Sequence, residues 1–374
     1  MKVYLDIDVL SAARARIRRI LRNFDVVLVN VSGGKDSTVV LNLTLEAAEE
    51  LGRLPVPVVF IDQEAEWQST IDMISEIMHD PRVDPYWFQI PIRIFNATSH
   101  NQQWLNCWGE GEHWIREKDP ISIHENILGT DRFFEAFDTI PAVYFPGKTV
   151  ATIAGVRAEE SPARFSGLTA YPAWRDITWG SISGKKQNGS VAFYPLYDWS
   201  YVDIWKAIHD HGWPYSRLYD EMYRYGVPVK NMRVSNVHHE TATKSLTYMQ
   251  EVEPETWNAV TARVSGVNAV NILQDDWVCP KELPWMFSSW QEYRDHLLDN
   301  LITDPEHHAI FKKHIASTER TYFPEVQEDA CKMHISAILT NDYHGTKLKV
   351  FHASHGAYSR GRGRNGGGRA LTIK

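Results

Sequence analysis

The chain of 374 residues reads as a doubly wound α/β fold with a mostly parallel sheet, followed by a mainly helical C-terminal region. Three observations predict this. Short, continuous apolar runs recur through the first 160 or so residues, as expected of strands buried on both faces. Apolar stripes at helical spacing separate those runs, so strands and helices alternate. A glycine-rich loop joins the first run to the stripe after it, and sheets of this kind hold ligands at the carboxyl ends of their strands.

Residues 1–24 form an N-terminal helix, with Leu10, Ala13, Ile17, Ile20, Leu21 and Phe24 on one face. Arg14, Arg16, Arg18, Arg19 and Arg22 fill the remainder and read as a solvated face. The first strand is the apolar run Val26–Val31. Val39, Val40, Leu43, Ala47 and Leu51 then mark a helix, which Gly52 and Pro55 end. Residues 57–62 are a second strand, 67–78 a second helix, 88–95 a third strand and 149–156 a fourth. Between the last two, residues 97–145 carry Trp104, Trp108 and Trp114 and are too long for a simple connector. They read as a packed insertion or as an aromatic lid beside a site. After the fourth strand the chain becomes helical and aromatic-rich. Residues 25–235 are taken as one domain, 236–351 as a mainly helical region and 352–374 as a disordered, basic Gly/Arg tail.

Composition excludes several classes. With 43% hydrophobic and 23% charged residues the chain is an ordinary globular protein, and its formal charge of −8 argues against a surface built to coat nucleic acid. The charge is segregated, however. Residues 1–342 hold 32 basic against 47 acidic side chains, a balance of −15, while the last 32 residues have seven basic side chains and no acid. Such a tail suits electrostatic contact with DNA or RNA. Cys107, Cys279 and Cys331 lie far apart, which leaves no disulfide framework and no evident zinc or iron–sulfur ligand set, and fits a reducing cytoplasm. No apolar run is long enough to span a membrane, and the N-terminus lacks a secretory signal. His209-Asp210-His211 and His238-His239-Glu240 lack the spacing of a metal site, so no structural metal is expected.

The chemistry lies in Ser32-Gly33-Gly34-Lys35-Asp36-Ser37, between a buried strand and a helix. Successive backbone N–H groups and a helix N-terminus make an anion site there, and the two glycines let the main chain approach a ligand closely. The loop is not a Walker A motif, since Val29 and Asp36 stand where that motif needs a glycine and a Ser or Thr. It closely resembles the SGGxDS loop of the pyrophosphatase-loop (PP-loop) adenine-nucleotide α-hydrolases, which implies the HUP-like sheet. Three further segments resemble the phosphoadenosine phosphosulfate (PAPS) reductase branch. They are Phe60-Ile61-Asp62 with Gln63-Glu64-Ala65-Glu66-Trp67; the run from Ala154 through Gly155, Val156 and Arg157 to Arg164; and Pro195–Ser200 with Asp203-Ile204-Trp205, then Leu218-Tyr219-Asp220.

The resemblance implies ATP, PAPS or adenylylsulfate as substrate, bound by Ser32, Gly33, Gly34, Lys35, Asp36, Ser37, Asp62, Gly155, Arg157 and Arg164. Arg157 and Arg164 each offer a charged planar fork to an oxyanion, and Asp36 and Asp62 are candidate magnesium ligands. Asp198 and Trp199 read as a helix N-cap and a packed ring. The match fails at the reductase nucleophile. Asp329-Ala330-Cys331-Lys332-Met333-His334 keeps a Cys-x-x-His spacing but loses the acid before and the glycine after the cysteine, so Cys331 is a weak catalytic candidate. The paired cysteines of a cluster-binding reductase are absent, and no iron–sulfur cluster is expected. The resulting expectation is a PAPS reductase-like enzyme acting at or next to the α-phosphate in sulfur or nucleotidyl transfer, with a partner protein as a possible source of the missing thiol. The alternative is a catalytically reduced nucleotide-binding regulator or DNA-modification-associated protein whose basic tail contacts nucleic acid.

Overall fold

In the computed structural model the described residues are 5–99, 102, 104–170, 173–175, 177–182, 190–235, 237–238, 243–267, 282–340, 342–343 and 345–355. They divide into two compact units, Met1–Asn96 with Trp104–Val267, and Ala97–Gln103 with Asn268–Lys374.

The strands of the first unit are β1 (Val26–Asn30), β2 (Val56–Ile61), β3 (Val83–Phe88), β4 (Ile92–Phe95), β5 (Trp104–Cys107), β6 (Val150–Ala154), β7 (Ala173–Trp174), β8 (Ile177–Ile182) and β9 (Val191–Phe193). Its helices are α1 (Val9–Asn23), α2 (Lys35–Glu50), α3 (Gln68–Met78), α4 (Phe133–Tyr144), α5 (Pro162–Ala170), α6 (Tyr201–His211), α7 (Leu218–Tyr225), α8 (Thr243–Val252) and α9 (Pro254–Arg263). Seven strands make one sheet in the order β3-β2-β1-β6-β9-β8-β7. From β3 to β9 every pairing is parallel, and β8 and β7 extend the sheet antiparallel. The chain order reverses at β1, which lies between β2 and β6. A doubly wound sheet opens a ligand crevice at such a reversal, outside the carboxyl ends of the strands. Val27, Leu28 and Val29 of β1 are buried, as the unbroken apolar run requires.

Two strand expectations need correction. The third strand is Val83–Phe88 rather than 88–95. It tolerates Pro85 because it is the edge strand of the seven-stranded sheet, beside β2, where a missing N–H costs no ladder bond. Pro91 then interrupts the run, and β4 pairs antiparallel with β5 in a separate two-stranded sheet. The chain after the fourth strand also contains β7 to β9, of which β7 and β9, with two and three residues, are too short to give a periodic signal.

The arginine face of α1 is largely paired. Arg14 meets Glu46 at 3.0 Å, Arg18 meets Glu50 at 2.8 Å, and Arg16 makes a two-pronged contact with Asp198 at 2.7 and 2.6 Å. Asp198 therefore clamps α1 to the start of α6, and the N-cap is Ser200, in a capping box with Asp203. Trp199 is buried and donates to the Val9 carbonyl at 3.1 Å.

The second unit contains α10 (Trp290–Leu301), α11 (Pro305–Thr321), α12 (Gln327–Leu339) and α13 (Thr346–His355). Residues 352–355, read from sequence as the start of the disordered tail, are the last turn of α13. The basic residues from Arg360 onward, Cys279 and His239 lie outside the described residues. No helix among the described residues is long and apolar enough to cross a membrane.

Candidate functional site

Ser32 to Ser37 turn the chain from β1 into α2, with Gly34 as the N-cap. The turn is built around its glycines. Gly33 has φ +68°, the left-handed region that L side chains rarely adopt, and a Cβ there would meet the Thr70 methyl at 2.6 Å. Ser37 braces the loop from inside: its hydroxyl donates to the Gly34 carbonyl at 2.8 Å and accepts the Ser32 N–H at 3.2 Å. The Thr70 hydroxyl, at the start of α3, donates to the Val234 carbonyl, so α3 and the 232–234 segment close over the loop together.

The neighbouring strand supplies the opposite wall. After β6, Gly155 lies so close to the loop that a Cβ would stand 2.5 Å from the Asp36 carbonyl carbon and 2.7 Å from the Ser37 nitrogen. Only glycine permits that approach. It brings Arg157, two residues on, to Asp36: the Arg157 Nε donates to Asp36 Oδ1, while Lys35 Nζ donates to Asp36 Oδ2 at 2.9 Å. Arg157 is 6% exposed and its own N–H donates to Glu160 at 3.1 Å. Burial alone would push Lys35 down, but Tyr219 and the Asp36 carboxylate outweigh it and hold the ammonium above its ordinary value. Lys35 is therefore charged at neutral pH.

Arg164, on α5, is 54% exposed and lies 3.5 Å from Glu160, at the rim. Two residues whose roles sequence reading missed join them. Tyr219, quoted only as part of a motif, is buried with its hydroxyl accepting the Lys35 backbone N–H at 3.1 Å. Arg233 is pushed below its ordinary value by desolvation and then by repulsion from Arg164, with Glu160 and Tyr219 in the same field. Only its place shortly after the Leu218-Tyr219-Asp220 motif could have signalled it. Four cationic side chains, Lys35, Arg157, Arg164 and Arg233, thus face two carboxylates, Asp36 and Glu160, and the balance favours an anion.

Asp62 is placed differently. It is fully buried at the end of β2, and its two oxygens accept from the Glu64 N–H at 2.9 Å, Trp87 at 3.1 Å, Gln89 at 3.0 Å and Arg116. Four donors leave no room for a metal ion or a ribose hydroxyl. Glu64, at φ +62°, is equally buried and accepts from the Trp108 N–H at 2.8 Å and from Arg263 at 2.7 Å. Trp108 is buried and donates to the Asp62 carbonyl at 2.9 Å. The tryptophan-rich segment is therefore a packed insertion tied to the end of β2.

Cys331 belongs to the second unit, on α12. It is 1% exposed, and burial pushes its thiol above its ordinary value although Arg294 lies 3.6 Å away. The nucleophilic form of a cysteine is the thiolate, which this environment disfavours. No group of three or more potential metal ligands occurs among the described residues.

Comparison with known proteins agrees with the family resemblance. The model of the phosphoadenosine phosphosulfate reductase domain matches residues 26–225, and that of a domain of unknown function (DUF3440) matches residues 226–348. The uncharacterized protein YbdN of Escherichia coli (strain K12) is 31% identical over 315 residues, covering 80% of this chain and 77% of its own length. Sulfate adenylyltransferase subunit 2 of Magnetococcus marinus is 26% identical over 214 residues, covering 54% of this chain. The chain spans 63% of that relative, less than two thirds of its length. Among solved structures, Candida glabrata FMN adenylyltransferase in complex with FAD and inorganic pyrophosphate aligns at 17% identity and a TM-score of 0.37, covering 56% of this chain and 58% of its own. Phosphoadenylyl-sulfate reductase of Candida auris aligns at 13% identity and 0.29, covering 59% and 94%. The glycine loop at the sheet's switch point and a family match over more than half its length lead to one conclusion: the chain belongs to the phosphoadenosine phosphosulfate reductase domain family, as a divergent member of the PP-loop superfamily.

Proposed function

We propose that this protein binds ATP on the Ser32–Ser37 loop and transfers its adenylyl group to an acceptor, releasing pyrophosphate. The observation that carries the reading is the meeting of Lys35 and Arg157 on Asp36, at the mouth of the crevice between β1 and β6. Asp36 holds both cations in position. A triphosphate offers them a stronger anionic partner, and the loop N–H groups and the α2 N-terminus add to the attraction. In the reaction an acceptor oxygen forms a bond to the α-phosphorus, and the bond to the α–β bridging oxygen breaks. That oxygen leaves with its electron pair on pyrophosphate. Arg157 and Lys35 neutralise the charge that grows there, so catalysis is chiefly positioning and electrostatics.

Two features favour ATP over a reductively cleaved sulfonucleotide. Cys331 is buried and held protonated, which removes the chain's candidate for attack on sulfur. The relatives named as sulfate adenylyltransferase subunits align with this chain over 214 residues, 54% of its length. A magnesium ion arriving with ATP would find Asp36 as its carboxylate, since Asp62 is spent on four donors, and would supply further neutralisation of the phosphates.

The test is turnover of ATP, PAPS and adenylylsulfate by the purified protein, with sulfate among the acceptors and with reductant present throughout. Pyrophosphate release from ATP, reduced about a hundredfold in Arg157→Ala, is expected. Sulfite release dependent on Cys331 would overturn the reading in favour of a reductase.

A further inference from the structure

The Tyr219 hydroxyl occupies a place where a phosphate oxygen would be expected. In a phosphate-binding loop the backbone N–H groups at the start of the helix point at the anion, yet the Lys35 N–H here donates to the Tyr219 phenol oxygen at 3.1 Å. The same oxygen would stand 3.6 Å from a Cβ on Gly34. The ring is fixed around it. Trp205 packs edge-on at 5.1 Å and 90°, Lys35 Nζ lies 5.5 Å from the ring centroid, and the side chain is 5% exposed. A phenol has one proton to donate as well as lone pairs to accept with. The Lys35 contact uses only the accepting side.

We propose that Tyr219 is a ligand of the bound nucleotide's phosphate: its hydroxyl, which accepts the Lys35 N–H, donates its own O–H to a phosphate oxygen. The phenol lies within the same field of positive charge as Lys35 and Arg157 and makes the donation with little movement of its ring. Burial holds the phenol above its ordinary pKa, so the proton is present at neutral pH. The proposal rests on the nucleotide reading above and names a further contact for it.

The experiment compares wild type with Tyr219→Phe by calorimetric titration with ATP, PAPS and adenosine. Tyr219→Phe is expected to weaken ATP and PAPS about five- to twentyfold while leaving adenosine within twofold, since adenosine has no phosphate to receive the O–H. General damage to the fold would weaken adenosine equally and would overturn the proposal. ATP binding unchanged or tightened in Tyr219→Phe would overturn it too, leaving the nucleotide reading intact. Failure of wild type to bind either phosphorylated nucleotide would remove both. Replacing Tyr219 by 3-fluorotyrosine, which keeps the shape and strengthens the O–H as a donor, gives a second reading. About twofold tighter ATP binding is expected, and weaker binding would count against the proposal.

Discussion

The loop of the first unit and the α12 environment of the second bury polar side chains in opposite ways. At the loop, each charge that leaves water meets another: Lys35 and Arg157 share Asp36, Arg157 has Glu160 beside it, and the lysine stays charged. Around α12, burial wins. Cys331 is kept as a thiol despite Arg294, and the His334 imidazole is pushed down to about 3 by desolvation. Neighbouring charges decide whether a buried group keeps its charge: the first region holds paired ions, and the second holds a neutral thiol and a neutral imidazole.

The largest effect expected from breaking this contrast is at Gly155. Gly155→Ala places a methyl group against the backbone of Asp36 and Ser37, so the loop and β6 must separate. ATP-dependent pyrophosphate release should fall by at least about a hundredfold, because misplacement of about 1 Å costs that much. Activity within threefold of wild type would show that the strand does not position the loop. Next comes Asp62→Asn, which leaves Arg116 without its charged partner in a buried cluster. It should cost about 3 kcal/mol of stability by denaturant titration, with ATP affinity within about threefold. A greater loss of affinity than of stability would return Asp62 to the ligand site.

Smaller changes test the second region. Cys331→Ala should reduce stability by about 1 kcal/mol through lost packing and leave turnover within twofold; abolished turnover would contradict the assignment. The last test concerns pH. The folded value of His334 lies below its ordinary 6.5, so the unfolded chain takes up the proton first. Its contribution to stability is therefore complete above pH 6.5 and is lost as pH falls toward 3. Amide hydrogen exchange in residues 327–339 should show an opening free energy that declines between pH 7 and 5, by up to about 1.4 kcal/mol per unit. The slope should flatten in His334→Gln, and an unchanged slope would clear His334 of the effect.

Much of this was legible in one dimension. The first two strands, the glycine loop and the segment around Gly155 carry strong local signals, because doubly buried strands are uniformly apolar and a tight anion loop requires glycine. Edge and antiparallel strands were less legible. Pro85 argues against a strand until its edge position is known, and β7 and β9 are too short for periodicity to register.

Sequence by itself determined the fold class and the glycine-loop motif, since each depends on residue type and local spacing. Tertiary structure decided the roles of three groups. Asp62 is consumed by Trp87, Gln89, Arg116 and the Glu64 N–H; Arg157 reaches Asp36 from 121 residues away; and Tyr219 meets Lys35 across 184. A carboxylate's function depends on which donors reach it, and donors from distant strands and helices are brought together only by the packing of the sheet.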